Sequence, residues 1–360
     1  MSKRILLITE TLGSGGAERQ ICGLAVMLTK AGYPCRLITY VNNQFYEPYL
    51  RDNGVEYELV SELCDKKSRV WRTARYIQKY NPGIIISYLQ SVNMTLCLAN
   101  CLNKARLIVS ERNNNTSVTF KDKLLFNLYR LADVVVPNSH SQGRFICNNF
   151  PFLSKKVYPI INFVDVNRFK PATICPSNDT LRVIIVARYT HQKNVLTFLD
   201  VVRKAKDRKL NVHFDWYGSK EYDITYFEKV LRKYESLEIQ EYLSLNAPSD
   251  KIEEEYQKSD IMCLPSLYEG YPNVIVEAMS CGLPILCANR FENPYIVEEK
   301  VNGFLFDPEN IDDILAALEK MLALTSAERR IMGQINRKLC LQRNTEDAFL
   351  QSYVKLIEEL

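Results

Sequence analysis

The stretch from Ile261 to Pro284 leaves this chain few choices of fold. Ile261 to Leu264 are apolar without interruption, as in a short strand buried on both faces. A turn cluster follows (Glu269, Gly270, Tyr271, Pro272, Asn273), and then a helical pattern. Asn273 suits the N-cap, Val274 to Met279 form the body, and Gly282 with Pro284 ends it. A buried strand feeding directly into a helix is the repeating unit of a parallel α/β sheet, whose crossovers cover both faces. This spacing puts Glu269 in the loop ahead of the helix and Glu277 near its first turn. Loop amides and the positive end of the helix dipole favour an anion there. Carboxylates would repel that anion if they touched it. They can instead accept hydrogen bonds from hydroxyls flanking it, as on a nucleotide sugar, where sugar, diphosphate and ribose follow one another. The plainer reading is an amphipathic helix with two solvated glutamates.

At 360 residues the chain is long for one core and natural for two domains. A hydrophobic fraction of 47% and a charged fraction of 24% place it among ordinary globular proteins rather than disordered or membrane-embedded ones. Eleven cysteines show neither C-x-x-C nor paired Cys/His ligand spacing, so no metal site is expected from them. Cys97 and Cys101, a helical turn apart in an apolar run, read as core packing. Met1-Ser-Lys-Arg leads straight into a strand without a cleavage signal, and no apolar run approaches 18 residues. The expectation is a cytoplasmic protein with reduced thiols. The net charge of +4 is uneven: residues 1–165 hold 21 basic and 12 acidic residues, the remainder 25 and 30. A basic half beside an acidic half suggests different partners for each, and nothing points to nucleic acid.

E-G-Y-P-N-V-I-V-E-A-M-S-C-G-L-P resembles the E-x7-E signature of retaining glycosyltransferases of the GT-B fold, glycosyltransferase family 4 in particular. The resemblance implies two Rossmann-like, doubly wound α/β domains facing across a cleft. It implies that Glu269 contacts the transferred sugar, that Glu277 holds the ribose hydroxyls, and that Gly270, Tyr271, Pro272, Asn273 and Val274 line the donor between them.

The rest of the chain supports this in order. Arg4 to Thr9 reads as a strand, then a glycine turn, a helix from Ala17 to Lys30 stopped by Gly32, and a strand from Cys35 to Val41. Gly13, Gly15 and Gly16 do not complete the G-x-G-x-x-G spacing, which argues against a dinucleotide-linked oxidoreductase. The run G-G-A-E at Gly15 to Glu18 instead resembles the family's first loop, implying that amides at Gly15 and Gly16 approach the donor phosphate. Lys66 to Tyr80 reads as a basic helix, with Val70, Ala74 and Ile77 on one face and Arg69, Arg72 and Lys79 on the other. Lys121 to Arg130 is a second such stretch. Both read either as ordinary surface helices or as docking surfaces for anionic lipid headgroups. Between them, Leu107 to Asn115 is a strand running into a polar loop, and Asp133 to Ser139 is the last strand of this half. S-E-R-N is similar to an acceptor-facing loop of family members that build bacterial surface polysaccharides, implying acceptor-side roles for Glu111 and Arg112. An ion pair between the two is the plainer alternative.

Val157 to Phe169 resembles the family's interdomain segment, with Phe163 where glycine is usual. Lys170 to Thr180 reads as a linker, so the domains are placed at 1–168, joined by a returning helix at about 342–360, and at 172–341. The second domain opens with a strand from Leu181 to Arg188. Arg188 and Lys193 match the spacing of the family's G-R-x-x-x-x-K motif, with Ala187 for glycine, implying two cations that neutralise the departing diphosphate. His191 between them reads as a bystander. Val212 to Gly218 and Glu238 to Leu243 read as further strands, whose loops hold the nucleobase in related enzymes.

The resemblance implies retaining transfer of a hexosyl or N-acetylhexosaminyl group from a nucleotide sugar, UDP-linked by preference, to a lipid-linked glycan at the inner membrane face. Arg188, Lys193 and Glu269 are the implied catalytic residues. No D-x-D occurs, so neither a bridging metal nor any other cofactor is indicated. A GT-B sugar-nucleotide epimerase and a non-catalytic nucleotide-sugar-binding protein remain as alternatives.

Overall fold

The computed structural model describes residues 4–103, 105–173 and 180–360. Residues 1–3, where the chain start was read, and 174–179, the middle of the expected linker, lie outside the described residues. The chain divides into two compact units, Met1–Phe163 with Glu346–Leu360, and Val164–Thr345.

The first unit holds a six-stranded sheet built from β1 (Ile5–Ile8), β2 (Cys35–Thr39), β3 (Glu56–Leu59), β4 (Ile84–Tyr88), β5 (Arg106–Glu111) and β6 (Val134–Pro137). All neighbours pair in parallel, in the order β3-β2-β1-β4-β5-β6. β1 and β4 are buried at every position, which is why their sequence shows apolar runs rather than alternation. One face of the sheet is covered by Gly16–Lys30 and Glu346–Glu359, whose Leu24, Leu28, Phe349 and Tyr353 join the core of β1, β2 and β4. Arg69–Tyr80, Gln90–Ala99 and Phe120–Leu128 cover the other through Ala74, Ile77, Leu96, Leu125 and Phe126.

The second unit repeats the plan with β7 (Leu181–Val186), β8 (Val212–Tyr217), β9 (Leu243–Asn246), β10 (Ile261–Leu264), β11 (Ile285–Ala288) and β12 (Gly303–Phe306). Its order is β12-β11-β10-β7-β8-β9, the same winding as the first sheet, and again wholly parallel. Each sheet therefore reverses direction once, between β1 and β4 and between β7 and β10. That is where an open α/β sheet parts its loops at the carboxyl edge and accepts ligands. Gly218 ends β8 with no room for a side chain, because a Cβ there would meet the Ala187 carbonyl oxygen at 2.0 Å.

Three local expectations are corrected. Glu238 to Leu243 is not a strand: Glu238 takes a left-handed turn conformation (φ 51°), and β9 begins only at Leu243. Val70 turns outward, and Thr73 joins Ala74 and Ile77 on the buried face of Arg69–Tyr80. Cys97 is buried as expected, but Cys101 is exposed, because a 3₁₀ turn at Asn100–Leu102 replaces the helix there.

Candidate functional site

In the second unit, the loops leaving β7 and β10 meet at the switch point. β7 continues through Ala187, Arg188, Tyr189 and Thr190 into a single turn, His191–Lys193. Asn194 then takes a left-handed conformation (φ 61°, ψ 33°) that starts the helix Val195–Asp207. The β10 loop runs from Pro265 to Pro272. The two are laced together: Leu267 donates its amide to the Gln192 carbonyl (2.9 Å), and Gln192 Nε2 donates to the Tyr268 carbonyl (2.8 Å). Lys193 Nζ donates to Glu269 Oε1, in an ion pair whose side chains are each only 12% exposed. Losing one partner of such a pair costs more than in an exposed pair, where it is less than about 1 kcal/mol, and less than the about 3–5 kcal/mol of a fully buried one. The site's cations are thus unequal: Lys193 is matched by Glu269. Among the described residues Arg188 enters no ion pair, and its guanidinium stacks 4.1 Å from the Tyr222 ring centre.

The helix after this loop spans Asn273–Ser280. Its N-cap is Pro272, one residue earlier than expected, and no side chain caps it, so Asn273 is its first residue. This shift places Glu277 in the second turn rather than the first. There it is 3% exposed, accepting from the Tyr256 hydroxyl at 3.2 Å, and it is not a solvated surface glutamate. The helix is held rigidly from behind. Arg337 Nη1 donates to the Ser280 carbonyl (2.7 Å) and the Phe169 carbonyl (2.9 Å), and Gly282 (φ 77°) abuts Gly333, where a Cβ would lie 1.9 Å from the Gly282 oxygen. Tyr271 is buried and accepts from Asn344 Nδ2 (2.7 Å), and burial raises its phenol well above the usual range.

Two hydroxyls at this site were missed by the sequence reading. Thr190 Oγ1 and Ser266 Oγ are buried without a hydrogen-bonding partner, one after β7 and one after β10. Their signal was available as polar residues following the two strands that flank a switch point. His191 is exposed, and its ring packs edge-on 6.4 Å from Tyr226.

In the first unit, Gly15 caps the helix Gly16–Lys30, which starts one residue earlier than expected. A side chain at Gly15 would strike the Glu18 carboxylate, with Oε2 2.2 Å from a Cβ. Glu111 ends β5 fully enclosed. Burial raises its carboxyl pKa, against the lowering effect of hydrogen bonds from the Tyr129 hydroxyl, Gln90 Nε2 (3.1 Å) and Asn93 Nδ2 (3.4 Å). It is thus held inside the unit by the helix Gln90–Ala99 and by Tyr129 in the 3₁₀ turn before β6, and the ion pair with Arg112 considered from sequence does not form among the described residues. Arg112 is 8% exposed, lies 3.8 Å from the Tyr88 ring centre, and donates from Nη1 to Asn162 Oδ1 at 3.2 Å.

The basic helix Arg69–Tyr80 is also partly committed. Arg69 donates to the Leu63 (2.6 Å) and Cys64 (3.0 Å) carbonyls and Arg72 to that of Glu62 (3.1 Å), closing the end of the preceding 3₁₀ turn. Lys66, Lys67, Lys121 and Lys123 are exposed, as are Trp71 (55%), Phe120 (85%) and Leu124 (51%). No helix among the described residues is long and apolar enough to cross a membrane.

Comparison with known proteins bears on both units. Residues 171–339 match the family model described as "Glycosyl transferases group 1". Over 333 residues the chain is 25% identical to the amylovoran biosynthesis glycosyltransferase AmsD of Erwinia amylovora, covering 90% of this chain and 91% of that one. It is 22% identical over 368 residues to GalNAc-alpha-(1->4)-GalNAc-alpha-(1->3)-diNAcBac-PP-undecaprenol alpha-1,4-N-acetyl-D-galactosaminyltransferase of Campylobacter jejuni, covering 99% of each. Among solved structures, Alr3699/HepE of Anabaena, crystallised in complex with UDP, superposes with a TM-score of 0.87 at 17% identity, covering 99% of this chain and 100% of that one. The fold is therefore GT-B.

Proposed function

We propose that this chain is a retaining glycosyltransferase of family 4 that moves a hexosyl or N-acetylhexosaminyl group from a UDP-sugar to a lipid-linked surface glycan. The observation that carries the reading is the pairing of Lys193 with Glu269 on two loops laced together at the switch point of a sheet within the glycosyl transferases group 1 match, with Arg188 on the first of those loops. A UDP complex of a structural neighbour and the undecaprenol-diphosphate glycan named for a full-length relative support the choice of donor and acceptor.

In this reading the bond from the anomeric carbon to the diphosphate oxygen breaks while the acceptor hydroxyl oxygen bonds the same carbon from the same face. The acceptor's proton passes to the departing β-phosphate oxygen, so no separate side-chain base is required. Charge grows on that diphosphate as the bond breaks. Arg188, which has no carboxylate partner among the described residues, meets that charge in this reading, and Lys193 joins as its hold on Glu269 is shared. Glu269 accepts from sugar hydroxyls and Glu277 from the ribose. The amides at Gly15 and Gly16 and those of Gly270, Tyr271, Asn273 and Val274, with Pro272 shaping the turn, line the donor. Two fixed cations make the reaction independent of a metal, so chelator should leave turnover unchanged.

The protein acts at the cytoplasmic membrane face, held peripherally by anionic lipid. Trp71, Lys121, Lys123, Phe120 and Leu124, on helices covering one face of the first sheet, and Lys66 and Lys67 in the turn ahead of one of them, all exposed, support this. Charge reversal at Lys66, Lys67, Lys121 and Lys123 should abolish co-sedimentation with anionic liposomes; unchanged binding would overturn the docking surface.

The test of the reaction is incubation with UDP-hexoses and UDP-N-acetylhexosamines plus a diphosphate-linked acceptor glycan, with the product anomer assigned by NMR. A product with the donor's anomeric configuration is expected. An inverted product would refute the mechanism. Conversion of the donor without acceptor would identify an epimerase, and binding without turnover a sensor.

A further inference from the structure

Buried polar atoms without partners are rare in folded proteins, and each one asks what it is for. Among the described residues they include several that come after strands at the carboxyl edge, Thr190 and Ser266 in the second unit among them, while Arg36 and Asn100 lie elsewhere. In the first unit Thr9 Oγ1, Arg112 Nε and Nη2, and Asn138 Oδ1 are all buried and unpartnered, and they follow β1, β5 and β6 directly. The carboxyl edge is where open α/β sheets take ligands.

Arg112 is the extreme case, because the unpartnered atoms belong to a permanent cation. Its guanidinium offers five donors, of which Nη1 reaches Asn162 and the Nε and Nη2 positions reach nothing. The face of the Tyr88 ring supplies some compensation at 3.8 Å, yet a ring quadrupole does not accept N–H bonds in the guanidinium plane. The adjacent carboxylate, Glu111, is spent on Tyr129, Gln90 and Asn93. The Tyr88 hydroxyl is occupied with that of Tyr353 (2.9 Å). A buried charge left this way is costly, and substitution by an apolar side chain of similar size would be expected to stabilise the unit. Nε and one Nη form the fork that matches two oxygens of a phosphate or carboxylate, and this fork is the part of Arg112 that is unfilled.

We infer that Arg112 is a receptor for a phosphate oxyanion in the first unit, and that this oxyanion is the diphosphate of the lipid-linked acceptor. This rests on the acceptor class proposed above. It gives Arg112 a ligand and removes Glu111 from contact with the acceptor: Glu111 and its donors shape the end of β5 so that the following residue turns its guanidinium over Tyr88. The same fork would hold free phosphate, and the experiment separates the two sources.

Wild type, Arg112→Gln and Arg112→Lys are titrated with farnesyl diphosphate, inorganic phosphate and farnesol, each with saturating UDP present so that the second unit's anion site is filled. Arg112→Gln should weaken farnesyl diphosphate at least tenfold, leaving farnesol and the separately measured UDP affinity unchanged. Arg112→Lys, a charge without the fork, should fall between. Wild-type affinity for inorganic phosphate equal to or above that for farnesyl diphosphate would keep the oxyanion site but assign it to free phosphate, overturning the lipid source. Unchanged affinity for both anions in Arg112→Gln, or in Arg112→Lys should the glutamine variant not fold, would overturn the site itself. Failure of the wild type to bind UDP would refute the glycosyltransferase reading instead, and is read independently of the Arg112 variants.

Discussion

Replacing Glu269 by glutamine should tighten the binding of UDP while abolishing transfer. Lys193 is held by Glu269, with both side chains 12% exposed. Their coupling lies between that of an exposed pair and that of a fully buried one, about 1–3 kcal/mol. A diphosphate arriving at Arg188 and Lys193 must share Lys193 with Glu269. If about 1 kcal/mol of the coupling is surrendered on binding, its removal beforehand returns that amount, a roughly fivefold lower Kd. Lys193→Met should act oppositely, losing a charge-assisted hydrogen bond of about 1.5–3 kcal/mol, or about 10–150-fold in affinity. In the Lys193→Met background, Glu269→Gln should give no gain, because no cation remains to be released. The assay is isothermal titration of UDP into the four proteins, at two salt concentrations to separate this enclosed pair from diffuse surface charge. Weaker or unchanged UDP binding in Glu269→Gln, or the same gain with and without Lys193, would refute the competition on which the reasoning stands.

Arg188→Ala should lower kcat by about 10²–10³, the usual loss when one preorganised group opposing developing charge is removed, with little change in donor KM. An intact kcat/KM would void its leaving-group role. Glu277→Gln keeps the shape of the buried side chain and the bond from Tyr256, so it should raise the KM for UDP-sugar without destabilising the fold, as read by steady-state kinetics beside a melting curve. Burial raises the Glu111 pKa, so the folded state favours its proton: its contribution to stability is full below the unfolded pKa and is lost as pH rises through the folded one. The melting temperature of wild type should therefore fall relative to Glu111→Gln between acidic and neutral pH, and a constant difference across that range would contradict this.

The sequence disclosed the sheets more readily than the site. Doubly buried parallel strands such as Ile84–Tyr88 and Ile261–Leu264 are continuous apolar runs with turn residues on either side, so their existence follows from composition alone. β9 was misplaced because Glu238 to Leu243 has the composition of a strand, whereas the left-handed turn at Glu238 depends on packing beneath it. Glu269 and Lys193 were each legible by spacing. Their pairing was not, because they lie 76 positions apart and meet only through the β7–β10 adjacency. Glu111 shows the opposite: its motif leads into a polar loop, and the last residue of β5 instead points into hydrogen bonds from the helix after β4 and the 3₁₀ turn before β6. Arg69 and Arg72 fall on a basic face by pattern, which leaves an ordinary surface helix and a docking surface both open, because carbonyls of the preceding turn, which hold them, have no signature in side-chain pattern.

The most direct measurement of the central claim, a nucleotide-sugar donor seated on the second unit, is thermal unfolding of wild type, Lys193→Met and Glu277→Gln against UDP-, GDP- and ADP-linked sugars. Ligand at 100 times Kd stabilises the folded state by about 2.7 kcal/mol. The expected result is a clear rise in melting temperature with UDP-sugars in wild type, diminished in both variants. No rise with any nucleotide sugar, or a rise identical in all three proteins, would contradict it.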